Sequence, residues 1–284
     1  MVTLRVRGFA DRRRALVVLG ARSGTSALSG TLTLLGCTAP KHLMAANFAN
    51  PKGYFEPQDI TSIHDEMLAT VGSSWSDWRE FPSDWFASEA ATSYRGRLIS
   101  AFDENFADSF LIVLKDPRIC RILPLWHQIF EECGVEPSFC FVYRNPLQVA
   151  QSLAVRDGSS VEQGLLYYIR NHLDAERNTR SRQRAFVSFD QLLADWRNAV
   201  ASLEKQLHID FPRKGAASDQ VDSFLEIDLK HQNSERPKYE EPWLKPALEI
   251  YRNLEHLSSE EPSMMHLEAL DRLKFDFDAW CSAN

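Results

Sequence analysis

The residues best suited to chemistry on an anion stand in Ala15–Gly30, ALVVLGARSGTSALSG. An apolar run empties into a short turn holding Arg22, Ser23, Gly24, Thr25 and Ser26, and a helical pattern follows. A strand–turn–helix junction of this kind aims backbone N–H groups and hydroxyls at one point, a seat for a phosphate-like dianion. The plain alternative is a tight turn with a surface arginine, but the density of donors directly after a strand favours anion binding. Two more apolar runs end in polar signatures: Phe110–Leu114 in Lys115-Asp116-Pro117-Arg118, and Ser138–Tyr143 in Arg144-Asn145-Pro146. Ser152 follows Arg144 by eight positions, about two turns into the helix that Pro146 suits as a first residue. A bidentate guanidinium there suits a terminal phosphate, whereas the bland readings are a surface salt bridge and a helix-face hydroxyl.

These residues need a scaffold that brings strand ends together. Ala15–Leu19, Phe110–Leu114, Ser138–Tyr143 and Ala185–Ser188 read as short, continuously apolar strands. Between them, helical spacing marks Ser26–Leu35, Asp59–Val71, Glu89–Phe106, Leu123–Cys133, the stretch after Pro146 and the stretch around Val161–Leu173. Leu192 to Leu207 reads as one long amphipathic helix, Phe211–Pro242 as irregular and charged, and Trp243–Leu257 and Ser263–Trp280 as closing helices. Residues 1–14 form a basic lead-in with Arg5, Arg7 and Arg12, and a short edge strand at Thr3–Val6. Buried strands alternating with helices predict a three-layer α/β/α fold, a P-loop-type parallel sheet covered on both faces. Parallel sheets hold ligands beyond the carboxyl ends of their strands, so Arg22, Lys115, Arg118 and Arg144 are expected at one edge. The Cys37–Pro57 connection is long enough to suggest a functional loop. No repeat or linker divides the chain, so one domain spanning 1–284 is expected, with 208–284 as its C-terminal irregular segment and closing helices.

Composition narrows the function classes. With 284 residues, 44% hydrophobic and 25% charged, the chain has the make-up of an ordinary globular protein with a substantial core. A net charge of −7 argues against a general nucleic-acid binder. Five cysteines without a C-x-x-C pair suggest neither a disulfide framework nor a zinc site, and no cluster has metal-ligand spacing. The apolar run after the N-terminal arginines is too short for a signal peptide, and no stretch reaches membrane-spanning length, so a cytoplasmic protein without membrane insertion is expected.

The first turn departs from the nucleoside-triphosphate pattern G-x-x-x-x-G-K-[ST]: Gly20 and Gly24 are one residue too close, and Thr25 stands at the lysine position. With R-S-G-T-S at 22–26 and R-N-P-L-Q-V-A-Q-S at 144–152, the chain resembles PAPS-dependent sulfotransferases (PAPS is 3′-phosphoadenosine 5′-phosphosulfate). It is similar to the bacterial type that also carries Gly53-Tyr54-Phe55-Glu56 and Lys115-Asp116-Pro117-Arg118. The likeness runs from Ala15 to Leu207, with a fainter echo at Phe224–His231; the R-K-G-x-x-G-x-W-K loop of the cytosolic drug and steroid enzymes is absent. It implies a fold, a co-substrate and roles. Arg22 and the Ser23–Ser26 turn would hold the 5′-phosphosulfate, and Arg144 with Ser152 the 3′-phosphate. Lys115 would approach the bridging oxygen or the sulfuryl group, with pairing to Asp116 as the bland alternative. A metal-free in-line transfer to a hydroxyl or amine of a small-molecule or carbohydrate acceptor follows. It needs a base: Glu56 is the first candidate, His64 the second and Asp65 the third. Trp75, Trp78 and Trp85 could floor an acceptor site, or be core. The competing functions are a P-loop kinase or nucleotide hydrolase, and a non-catalytic nucleotide-binding protein on the same fold.

Overall fold

Alternation along the first strand sets the layers. In β1 (Arg13–Leu19), Ala15, Val17 and Leu19 enter one buried cluster, and Leu16 and Val18 enter another on the opposite face. The computed structural model describes residues 13–47, 50, 52–226, 241–258 and 263–283. Three further strands, β2 (Leu111–Lys115), β3 (Val135–Tyr143) and β4 (Gln183–Ser188), complete a parallel sheet in the order β2-β1-β3-β4. All four carboxyl ends therefore open on one side of the sheet. The edge beyond β2 is partly covered by the loop after the first helix, where Thr38 exchanges backbone hydrogen bonds with Leu111 and Val113 (2.8 and 3.0 Å).

The helices are α1 (Thr25–Leu34), α2 (Gln58–Ala69), α3 (Glu89–Phe106), α4 (Ile119–Glu132), α5 (Pro146–Asp157), α6 (Val161–Thr179), α7 (Phe189–Ala194), α8 (Trp196–Leu207), α9 (Ser218–Glu226), α10 (Leu244–Leu257) and α11 (Met264–Ala283). A 3₁₀ turn, Ser83–Ala87, precedes α3. Leu28 and Leu32 of α1, Leu192 of α7 and Leu203 of α8 pack on the Leu16/Val18 face. Phe102 of α3, Trp126 of α4, Tyr168 of α6 and Leu254 of α10 pack on the other. The fold is thus α/β, a central parallel sheet with helices on both faces, which is how the alternation of buried strands and helices reads in the sequence.

Several elements differ from that reading. β1 begins at Arg13, inside the expected lead-in. The single helix expected from Leu192 to Leu207 is two, because Asp195 leaves helical geometry (φ −152°, ψ 82°) and its side chain caps α8 by accepting from the Asn198 N–H. α9 forms within the stretch expected to be irregular. α4 starts at Ile119 and is kinked, with Ile122 non-helical just ahead of Pro124, whose ring nitrogen has no hydrogen to give Cys120. The expected edge strand Thr3–Val6, the arginines at 5, 7 and 12, and residues 227–231 of the Phe224–His231 segment lie outside the described residues.

Candidate functional site

The turn after β1 is pressed between β3 and α7, and two glycines make that possible. A Cβ on Gly20 would sit 2.5 Å from the Val142 carbonyl oxygen of β3. Gly24, at φ +94°, opens α1, and a Cβ there would lie 2.0 Å from the Phe189 ring. No side chain caps α1, so its first-turn N–H groups remain as donors to a ligand. Arg22 itself takes a left-handed conformation, φ 51°. The Ser23 hydroxyl donates to the Ala21 carbonyl at 3.0 Å inside the turn, leaving only its backbone for a ligand. Thr25 is buried beside it. Ser26 Oγ donates to the Tyr54 carbonyl (3.2 Å) and accepts from Asn50 Nδ2 (3.2 Å), tying the turn to the loop that carries Glu56.

Two guanidinium groups flank this turn. Arg22 donates to Ser152 Oγ at 2.9 Å, joining the β1 loop to α5. Arg144, buried at the end of β3, donates through Nε to Gln148 Oε1 (2.9 Å) and lies 4.8 Å over the Phe189 ring. Among the described residues no carboxylate lies within ion-pair distance of either. Burial pushes the pKa of Arg22 below its ordinary value, and repulsion from Arg156 and Arg144 adds to the effect against the pull of Asp157. Burial likewise lowers Arg144, with Asp190 opposing. Two desolvated cations, one half-buried and one buried, would be stabilised by an arriving anion. Gln148 and Phe189 are not evident from the sequence: Gln148 has only its i+4 spacing from Arg144 as a signal, and Phe189 joins the site from the start of α7, just past β4.

The end of β2 builds a different cluster, whose charges are already matched. Lys115 pairs with Glu56 through Oε1, not with Asp116 as the bland reading had it, and also donates to the Tyr54 carbonyl at 3.2 Å. Arg118 stands 3.6 Å from Glu56 Oε2 and grips Asp65 (2.6 and 3.0 Å) and Asp116 (2.9 Å). Asp116 is fully buried and accepts from Thr61 (3.2 Å), His64 Nδ1 (2.7 Å) and the Arg118 N–H (3.0 Å). Burial opposes its charge, yet Arg118 and the His64 hydrogen bond hold its carboxyl well below the usual range.

His64, the second candidate base, has both ring nitrogens engaged. The Trp126 indole N–H, which can only donate, reaches His64 Nε2 at 3.0 Å, so the ring's proton lies on Nδ1 and goes to Asp116. Buried and with both nitrogens committed, His64 presents no free nitrogen to an acceptor. Asp65 is committed to Arg118. Glu56 remains, buried and turned by Phe55 at φ 57°.

Beside α5 a cavity of about 630 Å³ is lined by Trp75, Trp78 and Tyr167 and by Leu153, the neighbour of Ser152. Trp85 does not reach it: it is buried in a ring cluster with Phe81, Phe86 and Tyr94. The five cysteines are unpaired, and burial pushes the Cys120 and Cys140 thiols up to about 12, which removes them as nucleophiles. Among the described residues no group of three His, Cys, Asp or Glu could hold a metal, and no helix is long and apolar enough to cross a membrane.

No family model and no curated protein matches this chain. Among solved structures it is similar to a sulfotransferase domain from the Synechococcus PCC 7002 olefin synthase, at 12% identity and a TM-score of 0.42, over 95% of this chain and 98% of that one. It is also similar to a sulfotransferase domain from the curacin biosynthetic pathway, at 12% identity and a TM-score of 0.45, over 86% of this chain and 99% of that one.

Proposed function

We propose that this chain is a sulfotransferase that moves the sulfuryl group of PAPS to an acceptor hydroxyl. The observation that carries the reading is the contrast between two cation sets. Arg22 is half-buried and Arg144 buried, and both are depressed in pKa and without an ion pair among the described residues, beside an uncapped helix start. Lys115 and Arg118 are matched by carboxylates. The first set suits a ligand with two anionic ends, and the second suits acid–base work. The residues fit the donor. The turn at Ser23–Ser26 and Arg22 would take its 5′ end, while Arg144, with Ser152 behind Arg22, would take its 3′-phosphate.

The donor supplies an activated sulfuryl group on a phosphate leaving group. The chain's residues position groups and neutralise charge around it. The acceptor oxygen forms the new bond to sulfur, the old sulfur–oxygen bond breaks with its electron pair kept by the 5′-phosphate, and the acceptor's proton leaves for a base. Glu56 Oε2 is that base, since Arg118 stands off it at 3.6 Å whereas Oε1 is held by Lys115. Lys115 is then placed to turn from Glu56 toward the charge developing on the leaving oxygen.

A kinase or hydrolase reading would use Asp116 as its magnesium-binding acid at the strand end. The oxygens of Asp116 are taken by Thr61, His64 and Arg118, which favours the sulfuryl reading. The test is calorimetry with the desulfonated product, PAP (3′-phosphoadenosine 5′-phosphate), against ATP with and without magnesium. PAP is expected to bind without metal, and Arg144→Ala is expected to weaken it by about 2 kcal/mol, roughly thirtyfold. ATP preference with magnesium dependence would reverse the assignment, and unchanged PAP affinity in Arg144→Ala would remove Arg144 from the site.

A further inference from the structure

We propose that the cavity between residues 72–79 and the α5–α6 corner binds a neutral saccharide, which presents the hydroxyl to be sulfated; this rests on the sulfuryl-transfer reading. Its position comes first. Leu153 in its wall follows Ser152, the partner of Arg22, and Arg156, one turn further, lies 4.9 Å over the Trp75 ring. Tyr167 in the facing wall makes an edge contact with Trp75 (5.5 Å between centroids), and Arg121, three positions after Arg118, donates to Ser73 Oγ and to the Ser74 carbonyl in the wall (3.2 Å each). The cavity therefore lies beside the anion seat and is tied, through Arg121, to the helix that follows Arg118.

Its charge balance selects the acceptor. Asp77 receives Arg79 through Nε (3.1 Å), NH2 (2.8 Å) and the backbone N–H (2.9 Å). Asp157 receives Arg156 through Nε (2.6 Å) and NH2 (2.7 Å). Each carboxylate in the wall is matched by a guanidinium, so an ammonium or carboxylate on the acceptor would meet no unanswered charge and would lose its hydration for nothing. The remaining wall pairs aromatic faces with hydroxyls: Trp75, Trp78 and Tyr167 alternate with Ser74, Ser76 and Ser159. Ser159 Oγ is buried without a hydrogen-bond partner. Ser74 and Ser76 bond each other at 3.3 Å, so Ser159 is the hydroxyl that a flat aromatic acceptor would leave unsatisfied. A sugar ring offers C–H faces to the aromatics and hydroxyls to the serines, and the volume is that of a small-molecule site, which is typically about 300–1,000 Å³.

The test titrates the full chain, with and without PAP, by tryptophan fluorescence and calorimetry. The probes are methyl glucoside, methyl galactoside, N-acetylglucosamine and cellobiose, with 2-naphthol and benzylamine as representatives of the other acceptor classes. At least one saccharide is expected to bind at millimolar concentration or below and to be sulfated when PAPS is present. Trp75→Leu should weaken it roughly tenfold without altering PAP affinity. Ser159→Val, a smaller perturbation, should act in the same direction at unchanged melting temperature. Binding of naphthol or benzylamine in place of every saccharide would overturn the proposal, as would saccharide affinity indifferent to both substitutions. PAP binding with no saccharide binding sinks this inference and spares the transferase reading; saccharide binding with no PAP binding supports the saccharide site and sinks the transferase reading.

Discussion

A single carboxylate, Glu56, faces the ammonium of Lys115 on one oxygen and the guanidinium of Arg118 on the other. Amide and carboxylate differ there in a measurable way. Glu56→Gln keeps an oxygen for Lys115 but cannot take a proton, so PAP binding and folding should survive while turnover falls by about a hundredfold or more. Glu56→Ala leaves the Lys115 ammonium buried without its partner, which should cost about 3–5 kcal/mol in urea unfolding. Near-normal turnover in Glu56→Gln would pass the base role to another group, and equal stability of the two variants would mean that Lys115 finds another partner. Glu56 and Lys115 stand out in the sequence because each sits in a short polar signature. Their contact does not, since 59 positions separate them and only the fold joins them. Separations of 52 and 62 positions likewise hide the engagement of His64 with Asp116 and Trp126.

The elements themselves were legible where one strong local pattern governed them. β3 and α3 carry runs whose apolar spacing admits a single reading, and Glu89–Phe106 matches the observed α3. The break between α7 and α8 was hidden because Leu192, Trp196, Val200 and Leu203 stay in register across it, all packing into one cluster. Asp195 interrupts the backbone without interrupting the apolar face. α9 was obscured for the opposite reason: its apolar positions, Val221, Phe224 and Leu225, are outnumbered by charged and polar neighbours. Phe189, at the start of α7, is the link from these elements to the site, since it backs both Gly24 and Arg144. Gly24→Ala should therefore fail twice. The left-handed backbone alone costs about 1–3 kcal/mol for a residue with a Cβ. That Cβ also meets the Phe189 ring. The expected outcome is a lowered melting temperature and loss of PAP binding in calorimetry. Adding Phe189→Leu should restore part of the stability, because it removes the collision but not the backbone cost.

Over the whole molecule, the long α6 joins the sheet to the C-terminal helices, and it does so with buried ionisable groups. Arg170 reaches Asp278 at 2.6 Å and Asp174 at 3.2 Å, and Lys274 reaches Asp174 at 3.1 Å, locking α11 onto α6. One turn from Arg170's neighbours, His172 is buried against Tyr168, 4.0 Å between ring centroids, with Nδ1 bonded to the Tyr168 carbonyl at 2.9 Å. Burial lowers its pKa from 6.5 to about 4. The unfolded chain therefore takes up this proton first as pH falls. Stability should decline between about pH 6.5 and 4 by roughly 3 kcal/mol from this residue alone, and no further below that, where both states are protonated. Asp116 acts in the next window: its folded pKa is depressed, so its contribution is full above the ordinary carboxylate range, near pH 4, and drains away below it. Urea midpoints measured across this range should thus fall in two stages. His172→Phe keeps a ring against Tyr168 but has no proton to gain, so it should flatten the first stage and leave the second unchanged. An unaltered slope between pH 6.5 and 4 in that variant would assign the first stage to other groups.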